Sequence, residues 1–455
     1  MFPDTERFLW LEDHTRVILE RCRRVATSVP GHSSDPLTVY VPGGDNKYPS
    51  FWVRDAVMEC RSGLIDVPTM EGMLGAILAF QNGPTRRPLA HGLRVDPWAI
   101  PDHINLPGLT TPETDHGQPY GAVFYPGTYS PTDDQGDGAF GVRAADDDIY
   151  EVVELADTIA AALPENARAA FLRREVKGVS IIERLHNGLQ AMTVDEETGL
   201  CWNSPTDWSA SNFHDSLRPM GAIALTSCLR FRAARTMSGF AALLGDAQLQ
   251  QTYDDLADRI AQSVVSHLLT EDGWIMAASE VDRQPDVWST SRAVYIGLLT
   301  GEHAQRACQA MLRAYRDSTD ELHPIISAWG YLRHSPTTAD VIPGQMMWEH
   351  DRESTRNEYG INGYGIYQTG GYWPQPLGWY AYALAQVDLD AARQIATEFI
   401  DHTRAHVSEG APFEWINPAI PLDQTPGLGR WYGPSATLPL EGFRRLSALL
   451  DQAKG

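Results

Sequence analysis

Three short stretches of this chain set carboxylates beside indole rings. In Trp202-Asn-Ser-Pro-Thr-Asp-Trp208, Asp207 lies between two tryptophans, a setting in which desolvation raises a carboxyl pKa and lets it act as a general acid. In Pro412-Phe-Glu-Trp-Ile-Asn-Pro418, Glu414 lies between Phe413 and Trp415, an expensive place for an acid without a task or a structural partner such as Arg430. In Trp52-Val-Arg-Asp55, Arg54 and Asp55 stand together at an expected helix start. There they can form a fixed pair whose remaining donors and acceptors face a pocket, or simply cap the helix. Asp215, a few positions after Asp207, is also expected in a first helical turn, where its charge complements the dipole. Two carboxylates brought by separate loops to one pocket are what hydrolysis of a glycosidic bond requires, one to protonate the leaving oxygen and one to activate water.

Such residues need elements to position them. Apolar periodicity and stop signals predict twelve helices, near 5–25, 52–64, 70–82, 146–161, 165–187, 213–231, 237–268, 288–300, 303–317, 375–386, 389–407 and 435–450. The links Ile65–Pro68, Leu163–Pro164, Ala233–Arg235, Thr300–Gly301 and Val387–Asp388 are so short that each ties a helix to an antiparallel neighbour. The stretches 26–51, 83–145, 188–212, 269–287, 318–374 and 408–434 are long and rich in Gly, Pro and Trp. This alternation predicts an all-α ring of paired helices, a single domain over residues 1–455, with every long loop on one face.

Composition narrows the partner. A formal charge of −23 argues against nucleic acid and anionic membranes, both of which need Lys and Arg against their phosphates. A neutral small molecule fits better. Of thirteen tryptophans, nine fall in the long loops, where indole faces suit the C–H faces of sugar rings and neighbouring carboxylates and amides take the hydroxyls. Met1–Glu6 has neither the basic start nor the apolar core of a signal peptide, and no apolar run reaches the roughly twenty residues of a membrane span, so a cytoplasmic protein is expected. Five scattered cysteines without CxxC spacing indicate neither a disulfide framework nor a zinc site. No metal or other cofactor is implied. Asp147-Asp-Ile-Tyr-Glu151 matches DDxxE, but reads better as an acidic helix start. Asp133–Gly138 lacks the glutamate that would complete a calcium loop, and Glu349-His-Asp351 lacks a second ligand cluster.

On these residues the chain resembles the (α/α)6-barrel glycoside hydrolases, a group that includes trehalases, neutral invertases, processing α-glucosidases and glucoamylases. Trp52-Val-Arg-Asp55 is similar to the W-x-R-D segment that holds the terminal sugar in glucoamylase-like members. Thr206-Asp207, with Asp215 and Arg218-Pro-Met-Gly221, resembles the neutral-invertase stretch whose first Asp is the catalytic acid. Gln368-Thr-Gly-Gly-Tyr-Trp-Pro374 resembles H-N-G-G-x-W-P, and Glu414-Trp-Ile-Asn-Pro418 resembles the E-x-Y-(D/N)-P that supplies a catalytic base. The four matches keep the family's order from position 52 to 418. Trp208 stands where the family has Gly, and Gln368-Thr369 where it has His-Asn.

The resemblance implies a barrel of twelve helices and an inverting, exo-acting hydrolase, with Asp207 as acid and Glu414 as base roughly 6.5–9.5 Å apart. Trp52, Arg54, Asp55, Trp208, Asp215, Gln368, Trp373 and Trp415 would line the sugar pocket. A short α-glucoside-like or sucrose-like substrate is the centre of the expectation. A sugar phosphorylase and a non-catalytic carbohydrate-binding protein are the alternatives.

Overall fold

A computed structural model describes residues 1–45, 47–48, 50–89, 92–109, 120–125, 141–209, 219–281, 283–318, 327–333, 367–368, 370–418, 420–425 and 427–452. Thirteen α-helices lie within them: α1 Thr5–Cys22, α2 Val53–Cys60, α3 Val67–Phe80, α4 Asp148–Ala162, α5 Glu165–Arg173, α6 Ile181–Gln190, α7 Ala224–Leu244, α8 Ala247–His267, α9 Val287–Tyr295, α10 Gly301–Ser318, α11 Leu377–Ala385, α12 Leu389–Ala405 and α13 Gly433–Gln452.

Their packing closes a ring. α2 packs on α4, α4 on α7, α7 on α9, α9 on α11, α11 on α13, and α13 returns to α2. Every residue of α2 and of α9 is buried, as a helix enclosed on all sides must be. The outer layer is amphipathic. α3 packs on α4, α8 on α7, α10 on α9 and α11, α12 on α11, and α1 on α13 and α12, while α5 and α6 together cover α4 and α7. Where α11 meets α13 the backbones nearly touch, since a Cβ on Gly378 would lie 2.7 Å from the Leu438 carbonyl oxygen. Each inner helix follows a long connection, so the inner N-termini and the loops before them share one end of the ring.

The expected all-α paired ring is observed, with two local differences. The helix expected over 165–187 is two helices, α5 and α6, joined by a tight hairpin in which Lys177 and Gly178 take φ of 49° and 76°. Such a turn is a break that periodicity does not register. After it, Ser180 and Glu183 restart the helix with a reciprocal capping box. One outer position is thus filled by two short helices, which makes thirteen where twelve were expected. The break expected at Ala233–Arg235 does not exist, because those residues are good helix formers. α7 instead runs on to Gly245, whose φ of 75° ends it, and Asp246 caps α8 through the Leu249 N–H at 2.9 Å. No helix among the described residues is long and apolar enough to cross a membrane. All five cysteines are buried and free.

Candidate active site

The start of α2 organises the loop end. The strand Phe51–Trp52 pairs antiparallel with His103–Asn105 and sets Trp52 opposite His103, whose ring stacks on the indole at 4.7 Å. The chain enters α2 directly from this strand, with Trp52 at the N-cap. Arg54 and Asp55 therefore lie in the first turn, where successive side chains diverge by about 100°. They do not pair with one another as the sequence suggested. Arg54 turns to Asp147 at the start of α4, with Nε–Oδ2 at 2.6 Å and Nη2–Oδ1 at 3.1 Å, and Asp102 stands 3.7 Å from Nη2. Asp147 occupies the N-cap position of α4 without making a side-chain cap, so its carboxylate serves Arg54, not the helix end. Asp55 turns to Tyr432, just before α13, and accepts its hydroxyl at 2.5 Å.

Glu414 joins this cluster from the last long loop. Its side chain is 3% exposed. The Tyr48 hydroxyl donates to Oε2 at 2.5 Å and Lys47 Nζ stands 3.2 Å from the same oxygen. Oε1 has no hydrogen-bond partner among the described residues. The backbone is fixed on both sides, its N–H to the Gly429 carbonyl at 2.9 Å and its carbonyl oxygen to Gln375 Nε2 at 3.3 Å. Gly429 is required here, since a Cβ would lie 2.6 Å from Oε2. The loop carrying Lys47 and Tyr48 is tied to the Glu414 loop by a Gly43–Tyr432 bridge and by the Arg430 N–H donating to Asp45 at 3.1 Å. Arg430, the partner considered from sequence, spends its guanidinium on the Glu409 carbonyl. Tyr48 also meets Trp52 edge-on at 5.3 Å and Tyr432 at 6.0 Å.

Asp55 and Glu414 sit in contrasting surroundings. Burial pushes the Asp55 carboxyl up to about 7. The Tyr432 hydroxyl and Arg54 oppose that rise, and the charges of Glu414 and Asp102 add to it. Glu414 instead has a cation and a hydroxyl directed at one of its oxygens.

Asp207 is placed differently from the expectation. Its side chain is 36% exposed and clamped by two arginines. Arg94 Nη2 lies 2.8 and 2.9 Å from its two oxygens, and Arg143 Nε lies 2.9 Å from Oδ1. The desolvated setting expected between two tryptophans is not there, because Trp208 turns inward onto Met220 while Asp207 turns outward. The clamp connects to the α2 cluster through the segment entering α4, which carries Arg143 and Asp147 four residues apart. Trp373 and Trp415 are 0% and 2% exposed and belong to the main core. The Trp373 indole donates to the Tyr367 carbonyl at 3.1 Å and meets Trp288 edge-on at 6.0 Å. Gln368 is also buried. Asp215, Arg218, Asp133–Gly138 and Glu349-His-Asp351 lie outside the described residues. Among the described residues no group of three or more His, Cys, Asp or Glu is arranged to hold a metal ion.

No protein-family model matches the chain, and no curated protein resembles it in sequence. Solved structures do resemble it. An uncharacterised conserved protein from Thermus thermophilus superposes with a TM-score of 0.55 at 14% identity, over 95% of this chain and 99% of that one. The GH63 mannosylglycerate hydrolase of the same organism, in complex with glucose, gives 0.54 at 14% identity over the same shares. A rhamnosidase from Klebsiella oxytoca with rhamnose bound gives 0.56 at 12% identity, over 98% of this chain and 65% of that one. The fold is theirs. This chain shares with them a ring of six inner helices under an outer helical layer, and in it the cluster of Trp52, Arg54, Asp55, Glu414 and Tyr432 gathers at the end where the inner helices begin.

Proposed function

We propose that the chain is a glycoside hydrolase, inverting and exo-acting on a disaccharide or short oligosaccharide, with an α-glucoside-like or sucrose-like substrate and a cytoplasmic setting. The observation that carries this reading is the Glu414 carboxylate: nearly buried, fixed at the backbone, held through Oε2 by Tyr48 and Lys47, and open at Oε1. Oε1 is the base that takes a proton from water as the water oxygen attacks the anomeric carbon. The glycosidic C–O bond breaks on the opposite face, and the leaving oxygen takes a proton from Asp207. Trp52, Arg54 and Asp55 orient the terminal sugar, and the barrel neighbours solved with glucose and rhamnose support a sugar as the ligand class.

The donor role of Asp207 requires the arginine clamp to loosen, because Arg94 and Arg143 occupy its two oxygens. A second reading, favoured by the Asp55 carboxyl pushed up to about 7, gives the proton to Asp55. One experiment separates them. Sugar release is followed over disaccharides and aryl glycosides, with and without phosphate, for wild type, Glu414→Gln, Asp207→Asn and Asp55→Asn. Loss of the base should abolish release from every substrate. Loss of the acid should spare aryl glycosides with acidic leaving groups, which need little protonation. The variant with that signature identifies the donor. Release that depends on phosphate would mean a phosphorylase, and release unchanged in Glu414→Gln would remove the proposed base.

A further inference from the structure

At the end of the ring opposite the loops, the last turns of α2 and α9 and the middles of α4, α7 and α13 enclose a cavity of about 370 Å³. Four arginines line it, Arg61, Arg232, Arg292 and Arg445, against three carboxylates, Glu154, Asp157 and Glu441. Arg61 bridges Glu154 and Glu441 at 3.1 and 2.7 Å, and Arg292 also pairs with Glu154. Arg232 pairs with Asp157 at 2.7 Å on the partly exposed rim. Arg445 has no carboxylate partner among the described residues and rests over the rings of Tyr295 and Tyr382 at 4.3 and 4.9 Å.

Two features set this apart from a closed network of ion pairs. The Arg292 side chain is 1% exposed and its guanidinium rests over the Trp379 ring at 4.6 Å, yet its Nε and Nη1 have no hydrogen-bond partner among the described residues, donors that the ring contact offsets only in part. None of the four guanidiniums donates to a backbone carbonyl among those residues, so capping of the helix ends does not account for them. The site retains one positive charge in excess of its carboxylates in a chain of net charge −23. Against the effect of burial, Arg292 and Arg61 hold the Glu154 carboxyl below its ordinary range.

We propose that this cavity binds a small oxyanion, a phosphate or carboxylate group on a body no larger than a monosaccharide, with Arg292 and Arg445 as donors and Arg232 recruited from Asp157. The volume lies within the range of small-molecule sites, roughly 300–1,000 Å³. Guanidinium forks match the planar or tetrahedral oxygens of such a group. The site is separate from the catalytic loops and does not depend on the glycosidase reading.

The test is calorimetric titration of the whole chain with inorganic phosphate, glycerol 3-phosphate and citrate, with sodium chloride at matched ionic strength as control. Arg292→Gln would leave Glu154 short of a buried partner and endanger folding, so the rim variants Arg445→Gln, Arg232→Gln and Asp157→Asn are used. At least one probe should bind saturably, about tenfold more weakly in Arg445→Gln and Arg232→Gln, as loss of one charged hydrogen bond implies. Asp157→Asn should bind more tightly, because it removes the carboxylate that competes for Arg232. Binding equal in all three rim variants, binding lost in Glu414→Gln and kept in Arg445→Gln, or no saturable binding of any probe each overturns the proposal.

Discussion

Asp55→Asn tests whether burial of a carboxyl beside the proposed base carries the proton load the geometry implies. Asn keeps the shape and can still accept the Tyr432 hydroxyl, but it does not titrate. In the folded chain the Asp55 carboxyl holds its proton up to about pH 7, against an ordinary value of 3.8. Its contribution to stability is therefore fully present below about pH 3.8 and is lost as pH rises through about 7. The interval corresponds to about 4 kcal/mol, of which about 2.5 kcal/mol falls between pH 5 and pH 8. At about 2.1 cal/mol/K per residue, a chain of 455 residues has an unfolding entropy near 1 kcal/mol/K. The variant should therefore gain about 2.5 °C in melting midpoint relative to wild type between pH 5 and pH 8. Differential scanning calorimetry of both proteins across that range reads the difference directly, and other titrating groups such as Glu151, which burial pushes up to about 8, cancel in the subtraction. A difference that stays flat to within about 0.5 °C, or that falls with pH, would refute the placement of a protonated Asp55 at this site.

Arg54→Met should lower the melting midpoint by about 3–5 °C, because it leaves the buried carboxylate of Asp147 without its guanidinium at a cost of about 3–5 kcal/mol; Arg54→Lys should recover only part of it, since an ammonium lacks the fork that meets both oxygens. Gly429→Ala should lower kcat/KM by about a hundredfold with a small change in midpoint, because the new Cβ lies 2.6 Å from Glu414 Oε2 and must displace it; unchanged activity would place Glu414 outside the chemistry. Tyr48→Phe removes the hydroxyl from the same oxygen and should lower kcat about tenfold with little change in KM, whereas a rise in KM alone would make Tyr48 a substrate-binding residue.

How far the sequence could be read depended on whether the information was local. Inner and outer helices alternate with long and short connections, and that rhythm is written in spacing, so the ring was legible. The Lys177-Gly178 hairpin and the Gly245-Asp246 stop are also local, but apolar periodicity does not report a two-residue turn, and they displaced two boundaries. The site was half legible for a related reason. Trp52, Arg54, Asp55 and Glu414 stand out because a charge beside an aromatic residue is unusual within a short window, and the fold brings Asp55 and Glu414 within electrostatic reach. Their partners come from elsewhere in the chain. Arg54 meets Asp147 across 93 positions, and Glu414 meets Tyr48 across 366. Tyr48 opens the stretch that carries Trp52, Arg54 and Asp55, and Lys47 and Tyr432 lie close to the stretches singled out, yet nothing in their spacing tied them to an acid. Asp207 shows the limit most clearly. Two tryptophans in sequence suggested a desolvated acid, but alternate residues of a loop point to opposite sides, and once Trp208 turned into the core Asp207 faced Arg94 and Arg143. Adjacency in sequence is a weak guide to the environment of a carboxyl group; the elements that converge on it from a distance decide whether it keeps its proton.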